Sequence, residues 1–301
     1  MLITTVIVSY NTAKLTVQAV ESVIADAQKS KLDHEVIVVD NASTDDSVKV
    51  IKKLQKKHPQ IKLIVNKTNL GFAKANNQAI KRAKGEYLLL LNSDTEVLAG
   101  TLKYLLEVFQ KIKKAGIVSA YLLKPNKTPQ TSQGGDLPSL VSVFNQMLFL
   151  DDLPIIGPHL PSAQKSYPKL TQAQAVGWVP GTAMMIKNEV IDRVGLLDEA
   201  IFMYGEDVDF CWRARLADFQ VFLTPKAQVI HYGSQSSSGA RAIKGEFKGL
   251  VYLFRKHRPH WQLPILKAIL KLGAGLRVGL FYLLGQKDKA KLYKQVFKDL
   301  N

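Results

Sequence analysis

Two aspartates sit where short apolar runs stop. Asp40 closes Val36-Ile-Val-Val39 within the stretch Asp40-Asn-Ala-Ser-Thr-Asp45, and Asp94 follows Leu88-Leu-Leu-Leu-Asn-Ser93. In open parallel α/β sheets, ligands bind beyond the carboxyl ends of the strands, so both side chains are expected along one edge. A carboxylate there can accept a hydrogen bond from a base or sugar, or bind a hard cation through oxygen. Capping the next helix is the plainer use of either residue; two of them at matching positions favour a site.

A second acidic group lies further on. Asp198, Glu199, Glu206, Asp207 and Asp209 fall within twelve residues and make up five of the chain's 25 acids. Glu206 and Asp207 stand where a helix should begin, an end whose dipole favours ionised carboxylates. Asp209 reads as structural, orienting Arg213. His231 ends a short apolar run. A lone histidine there commonly just packs or hydrogen-bonds, and ligation is the alternative.

The elements that must position these groups follow from the apolar pattern. Strands are expected at 2–9, 35–39, 61–65, 87–91 and 116–121. Helices alternate with them: one marked by Leu15, Ala19, Val23, Ile24 and Ala27, one by Val48, Ile51 and Leu54 with Asp45 or Asp46 as cap, then 72–83 and 101–114. That alternation predicts an α/β fold, with a mainly parallel sheet covered by helices on both faces. From 122 to 176, Gly, Pro, Ser and Gln recur, so long loops with one short helix near 140–150 are expected. Order returns at Trp178-Val-Pro-Gly181. Helices at 188–194 and 206–217 and strands at 220–223 and 227–231 follow, and the chain beyond Ser238 is helical.

Composition narrows the class. With 47% hydrophobic and 22% charged residues, the chain is globular. The single cysteine, Cys211, excludes an intrachain disulfide and a cysteine metal cluster. No basic segment precedes the first apolar run, which reads as a strand and not as a signal peptide, so a cytoplasmic location is expected.

Charge is concentrated in the tail: residues 241–301 carry fourteen Lys/Arg against three acids, +11 of the total +16. An anionic partner is implied, membrane headgroups or nucleic acid. Within 263–284, Lys267, Lys271 and Arg277 fall inside an arc of about 120°. Each would cost roughly 2.5–3.5 kcal/mol near a bilayer centre. A surface helix at the inner face of the cell membrane therefore fits better than a span; burial on the core or in a homodimer is the other use of its apolar face.

Six segments in order, Val6-Ile-Val-Ser-Tyr-Asn11, Val38-Val-Asp-Asn-Ala-Ser-Thr-Asp45, Asn69-Leu-Gly-Phe-Ala-Lys-Ala-Asn-Asn77, Leu90-Leu-Asn-Ser-Asp94, Pro180-Gly181 and Tyr204-Gly-Glu-Asp-Val-Asp209, give the chain its family likeness. Over about residues 3–235 it resembles inverting glycosyltransferases of family two, with the GT-A fold, and especially their rhamnosyltransferase-like branch in cell-surface polysaccharide synthesis. The resemblance implies a GT-A domain at 1–238, with a nucleotide-binding half at 1–120 and an acceptor half at 121–238, followed by a basic helical extension at 239–301. It implies a nucleotide-diphosphate sugar donor, a glycan or lipid-linked glycan acceptor, and Mg²⁺ or Mn²⁺.

Roles follow by position. Ser9, Tyr10, Asn11 and Asp40 match the nucleotide pocket, with Asp40 accepting the base imide N–H. Asn69, Gly71 and Asn76 match the segment lining the nucleoside. Asn92-Ser93-Asp94 stands at the Asp-x-Asp position, where Asn92 replaces the first aspartate and leaves Asp94 as the carboxylate ligand. Asp207 matches the catalytic base, with Glu206 as its rival. His231 lies where some relatives place a histidine on the metal or diphosphate, and Trp178 and Gly181 match the sugar subsite.

Two other readings make different demands. A sugar-nucleotide pyrophosphorylase or a Rossmann dehydrogenase expects a glycine-rich loop after the first strand, and Ser9-Tyr-Asn-Thr12 has no glycine. A nucleic-acid binder would explain the basic tail but not the acidic cluster, so no nucleic-acid partner is expected.

Overall fold

The computed structural model describes residues 2–168, 170–233 and 239–300. The expected boundary at Ser238 lies outside the described residues. In chain order the elements are β1 (Leu2–Ser9), α1 (Ala13–Lys29), β2 (Asp33–Asp40), α2 (Ser47–Lys57), β3 (Ile61–Val65), α3 (Phe72–Ile80) and β4 (Tyr87–Asn92). Then come β5 (Thr95–Val97), α4 (Thr101–Lys111), β6 (Ala115–Leu123), α5 (Leu140–Met147), β7 (Gln174–Val176), β8 (Ala183–Lys187) and α6 (Asn188–Val194). The last are α7 (Glu206–Leu216), β9 (Gln220–His231), α8 (Gly239–His257), α9 (Gln262–Leu283) and α10 (Lys287–Asp299). They form two compact units, one of residues 1–134 and 166–236, the other of 135–165 and 237–301. The loop-rich segment 135–165 therefore groups with the C-terminal helices.

The first unit carries one mixed sheet in the order β3-β2-β1-β4-β8-β6-β9-β5, with β7 on β9. The run β3-β2-β1-β4 is parallel, β8 is antiparallel to both its neighbours, and β6 and β9 are parallel again. Alternate residues of the central strands face opposite layers. Ile3, Ile7, Val36, Val38, Leu89 and Leu91 pack with Ala19, Val20, Val23 and Ile24 of α1. On the sheet, α3 packs on β1 and β2. Each fully buried Val, Leu or Ile among them contributes roughly 1.5–3 kcal/mol by leaving water. Asp26 of α1 accepts from the backbone N–H groups of Gly100 and Leu102 at 2.5 and 2.8 Å, satisfying the orphan donors where α4 begins.

The two short strands expected at 220–223 and 227–231 are one strand, β9. Its pairing with β6 shifts between Ala120 and Tyr121, so Pro225, Lys226 and Ala227 have no partner in the register. The irregularity lets the far end of β9 pair with β5, with His231 opposite Thr95.

In the second unit, Val143 and Met147 of α5 pack with Phe247, Phe254, Leu266, Leu270, Ala274, Val296 and Leu300. Arg277 donates to the carbonyls of Met147 and Gln146 at 2.7 and 3.1 Å, closing the C-terminal end of α5.

Candidate active site

The sheet register brings the first candidate residues side by side. Ser9 is level with Asp40, and Val8 with Asn92, so the ends of β2, β1 and β4 form one edge. Asp40 is fully buried. Its Oδ1 accepts from the Ser43 N–H at 3.0 Å, while Oδ2 has no protein donor. A buried carboxylate oxygen without a donor is costly, and it leaves an acceptor for an N–H from a ligand.

Beside it, Asn11 adopts a left-handed backbone (φ 54°), which asparagine tolerates. Its Oδ1 accepts from the Thr44 N–H at 2.7 Å and its own N–H donates to Ser43 Oγ at 2.9 Å, tying the two loops together. Tyr10 is half-buried next to it. The hydroxyls of Ser9 and Ser93 turn inward: Ser9 Oγ lies 2.9 Å from Thr16 Oγ1, and Thr12 Oγ1 donates to Ser93 Oγ at 3.0 Å. Any contact of these two residues with a nucleotide would fall to their backbones.

A residue assigned no role from the sequence, Asn41, organises the next loop. Its Nδ2 donates to Asn69 Oδ1 at 2.9 Å and the Gly71 carbonyl at 3.3 Å, and its Oδ1 accepts from the Leu70 N–H at 3.0 Å and Asn66 Nδ2 at 3.1 Å. Gly71 has φ +83°, and a Cβ there would lie 2.6 Å from the Phe202 carbonyl oxygen, which accepts from the Phe72 N–H. The glycine thus lets the 198–205 loop close onto this segment. Asn76 is buried and donates to the Phe72 carbonyl at 2.9 Å, a contact within α3.

On the other side of β4, Asp94 and His231 meet. His231 Nε2 is 3.3 Å from Asp94 Oδ1, and Nδ1 lies 3.1 Å from the Gln130 side chain. Asn92 Nδ2 reaches Thr182 Oγ1 at 3.4 Å, and its backbone N–H donates to the Thr182 carbonyl at 2.9 Å. One residue before Thr182, the Gly181 N–H donates to Asp207 Oδ2 at 3.2 Å. Asp94, Asn92, Thr182, Gly181 and Asp207 therefore form one connected stretch across the edge.

The acidic start of α7 follows Tyr204 and Gly205, both at positive φ (74° and 113°), a sharp turn that aims the helix N-terminus. Asp207 also accepts from the Val208 N–H at 2.8 Å. Glu206 is buried and its Oε2 has no protein partner. Burial first, and the Asp207 charge second, push its carboxyl up to about 8. Burial raises Asp207 too, against the opposing pull of its backbone donors. Asp209 pairs with Arg213 at 2.8 Å, and Arg213 in turn donates to the Val194 and Leu196 carbonyls. Trp178 is buried and offers little surface to a sugar. Asn77, another residue without an assigned role, clamps the 197–199 turn through the Leu197 backbone and Glu199 at 2.9–3.1 Å.

Residues 4–194 match the family described as Glycosyl transferase family 2. The chain belongs to that family. Among characterised relatives it is 24% identical, over 85% of its own length and 87% of the other, to the N-acetylglucosaminyl-diphospho-decaprenol L-rhamnosyltransferase of Mycobacterium tuberculosis. Its fold is similar to a mannosyltransferase from Pyrobaculum calidifontis solved with GDP-Man and Mn²⁺, with a TM-score of 0.59, 17% identity, and coverage of 98% of this chain and 85% of that one. It is also similar to GalNAc-T7 solved with UDP, GalNAc and Mn²⁺, with a TM-score of 0.60 and 17% identity over 85% of this chain; the match spans only 48% of the GalNAc-T7 chain. The protein is a family 2 glycosyltransferase with the GT-A fold.

Proposed function

We propose that this glycosyltransferase moves a sugar, with inversion, from a nucleoside-diphosphate donor to a hydroxyl of a glycan or lipid-linked glycan, using Mg²⁺ or Mn²⁺. The observation that carries the reading is the connected edge from the Asp94–His231 pair, through Gly181, to Asp207 at the start of α7. Asp40 Oδ2, buried and without a protein donor, suits the N–H of a pyrimidine imide. Asn41 fixes the Asn69–Gly71 loop for the nucleoside.

The metal reading is tested by its donor set. The Asp94 carboxylate oxygen suits Mg²⁺ or Mn²⁺, whereas the His231 imidazole nitrogen, 3.3 Å from it, is a softer donor that Mn²⁺ accepts more readily than Mg²⁺. No group of three or more His, Cys, Asp or Glu side chains able to hold an ion occurs among the described residues. Asp94 and His231 would therefore hold the ion jointly with diphosphate oxygens, and binding without donor would be weak. When bound, the ion supplies positive charge for the departing diphosphate.

In the transfer, the acceptor oxygen bonds to the anomeric carbon as the bond from that carbon to the phosphate oxygen breaks. The hydroxyl proton passes to Asp207, and the bonding pair leaves with the diphosphate. A carboxylate whose proton affinity is raised by burial is a stronger base, provided it remains ionised at working pH. Its hydrogen bond from Gly181 and the helix N-terminus both favour that ionised form.

Kinship with the mycobacterial L-rhamnosyltransferase supports rhamnose as the sugar and a polyprenyl-linked acceptor; dTDP-rhamnose is the donor to test first, and a lipid-linked acceptor implies contact with a membrane surface. A thermal-shift panel of nucleoside-diphosphate sugars with and without Mn²⁺ tests the donor. At a hundredfold excess over Kd, a ligand stabilises by about 2.7 kcal/mol. The expected result is a shift with dTDP-rhamnose that needs Mn²⁺; a larger shift with another donor would reassign it.

A further inference from the structure

The second unit presents an apolar face that its own core does not use. Trp261, which precedes α9, and Ile265, Leu272, Leu276, Leu280 and Leu283 of α9 recur at helical spacing, and all are exposed. The adjoining face, with Leu266, Leu270, Gly273 and Ala274, is already buried against α5 and α10. Contiguous apolar surface of this kind marks an interaction site. Near its middle, Gly275 and Gly279 leave the helix surface open, and Phe297 of α10 closes one side of a groove of about 580 Å³. Lys287, Lys291, Lys294 and Lys298, spaced i, i+4, i+7 and i+11, are exposed in one row on α10, adjoining Phe297 on the helix surface.

We propose that this face seats on an anionic lipid bilayer, with the α9 side chains entering the acyl boundary and the α10 lysine row meeting the headgroups. The proposal rests on the membrane contact suggested above and names the surface that makes it. Charge chooses the occupant. A second copy would bring another +11 from its own residues 241–301, whereas anionic lipid supplies the opposite sign. No helix among the described residues is long and apolar enough to cross a membrane, so the contact is along the surface.

The test is co-sedimentation of the full chain with vesicles of phosphatidylcholine alone or mixed equally with phosphatidylglycerol, at low and high salt. Binding is expected only to the mixed vesicles and should weaken with salt. Each lysine near the surface is worth about fivefold, so Lys291→Glu with Lys294→Glu should cut binding at least about tenfold. Leu276→Glu with Leu280→Glu should do the same by removing inserted apolar surface.

Trp178 and Trp212 are buried and Trp261 is exposed, so a blue shift of tryptophan emission on binding should vanish in Trp261→Phe. The wild-type shift keeps the test decisive even if the glutamate variants unfold. Binding without a blue shift would overturn insertion in favour of simple adsorption. No vesicle binding, with a dimer that dissociates in Leu276→Glu, would overturn the proposal in favour of self-association. Donor-induced thermal shifts measured on the same samples separate these outcomes from a failure of the transferase reading.

Discussion

His231 Nε2 lies 3.3 Å from Asp94 Oδ1 although 137 positions separate the residues, because β5 and the end of β9 pair with Thr95 opposite His231. The contact makes the metal prediction specific. Activity should vanish in excess EDTA and return with Mn²⁺, and Asp94→Ala should be inactive without loss of thermal stability. His231→Ala should raise the Mn²⁺ concentration needed for half-maximal activity at saturating donor. An unchanged Mn²⁺ requirement in His231→Ala would remove the histidine from the ion's ligand set.

Asp40 supplies an acceptor with no protein partner, so Asp40→Asn should act on the nucleotide and not on the chemistry. A hydrogen bond to a charged group is worth about 1.5–3 kcal/mol, which is roughly a 10- to 150-fold loss of donor affinity. Calorimetric titration with the nucleoside diphosphate measures it. Equal affinities in the two proteins would mean that Oδ2 does not face the base.

Much of this architecture is legible in the sequence, and the exceptions have physical reasons. β1, β3 and α6 have the expected limits because their apolar pattern and flanking polar residues coincide. β5 and β7, three residues each, carry too little pattern to be seen. The gap expected between 223 and 227 is bridged, because the sheet absorbs Pro225 at a register shift. Asp40, Asp94 and the acidic start of α7 stand out because chemistry-bearing types end apolar runs. Asn41 and Asn77 do not, since an amide's role depends on partners far along the chain. Nor does sequence reveal that Ser9 and Ser93 turn their hydroxyls inward.

Glu206 predicts a pH dependence of stability. Burial pushes its carboxyl up from an ordinary 4.5 to about 8, so the folded state keeps a proton that the unfolded chain has lost. Between those two values the folded state binds more protons, and stability therefore falls as pH rises. Glu206→Gln is neutral throughout. Its melting temperature should decline less than that of the wild type across this window and should exceed it at the alkaline end. Parallel melting curves would contradict the buried-acid assignment.

Gly71 combines φ +83° with 2.6 Å between a built Cβ and the Phe202 carbonyl oxygen. Gly71→Ala must displace either the Asn69–Gly71 segment or the 198–205 loop. It should cost at least about 1 kcal/mol of stability and weaken donor binding more than Lys67→Ala, a change at an exposed site nearby. Donor affinity unchanged in Gly71→Ala would show that this loop does not line the nucleoside.

Transfer turns on Asp207, held by the Gly181 N–H at the start of α7. General-base catalysis contributes roughly 10²–10⁴-fold, and Asp207→Asn keeps the size while removing the basicity. The direct measurement is kcat for Asp207→Asn, with donor affinity and melting temperature followed on the same protein. A fall of at least about a hundredfold in kcat is expected, with donor binding and stability nearly unchanged. Near-normal turnover in Asp207→Asn would contradict Asp207 as the base; if Glu206→Gln were then inactive, the base would be the neighbouring residue.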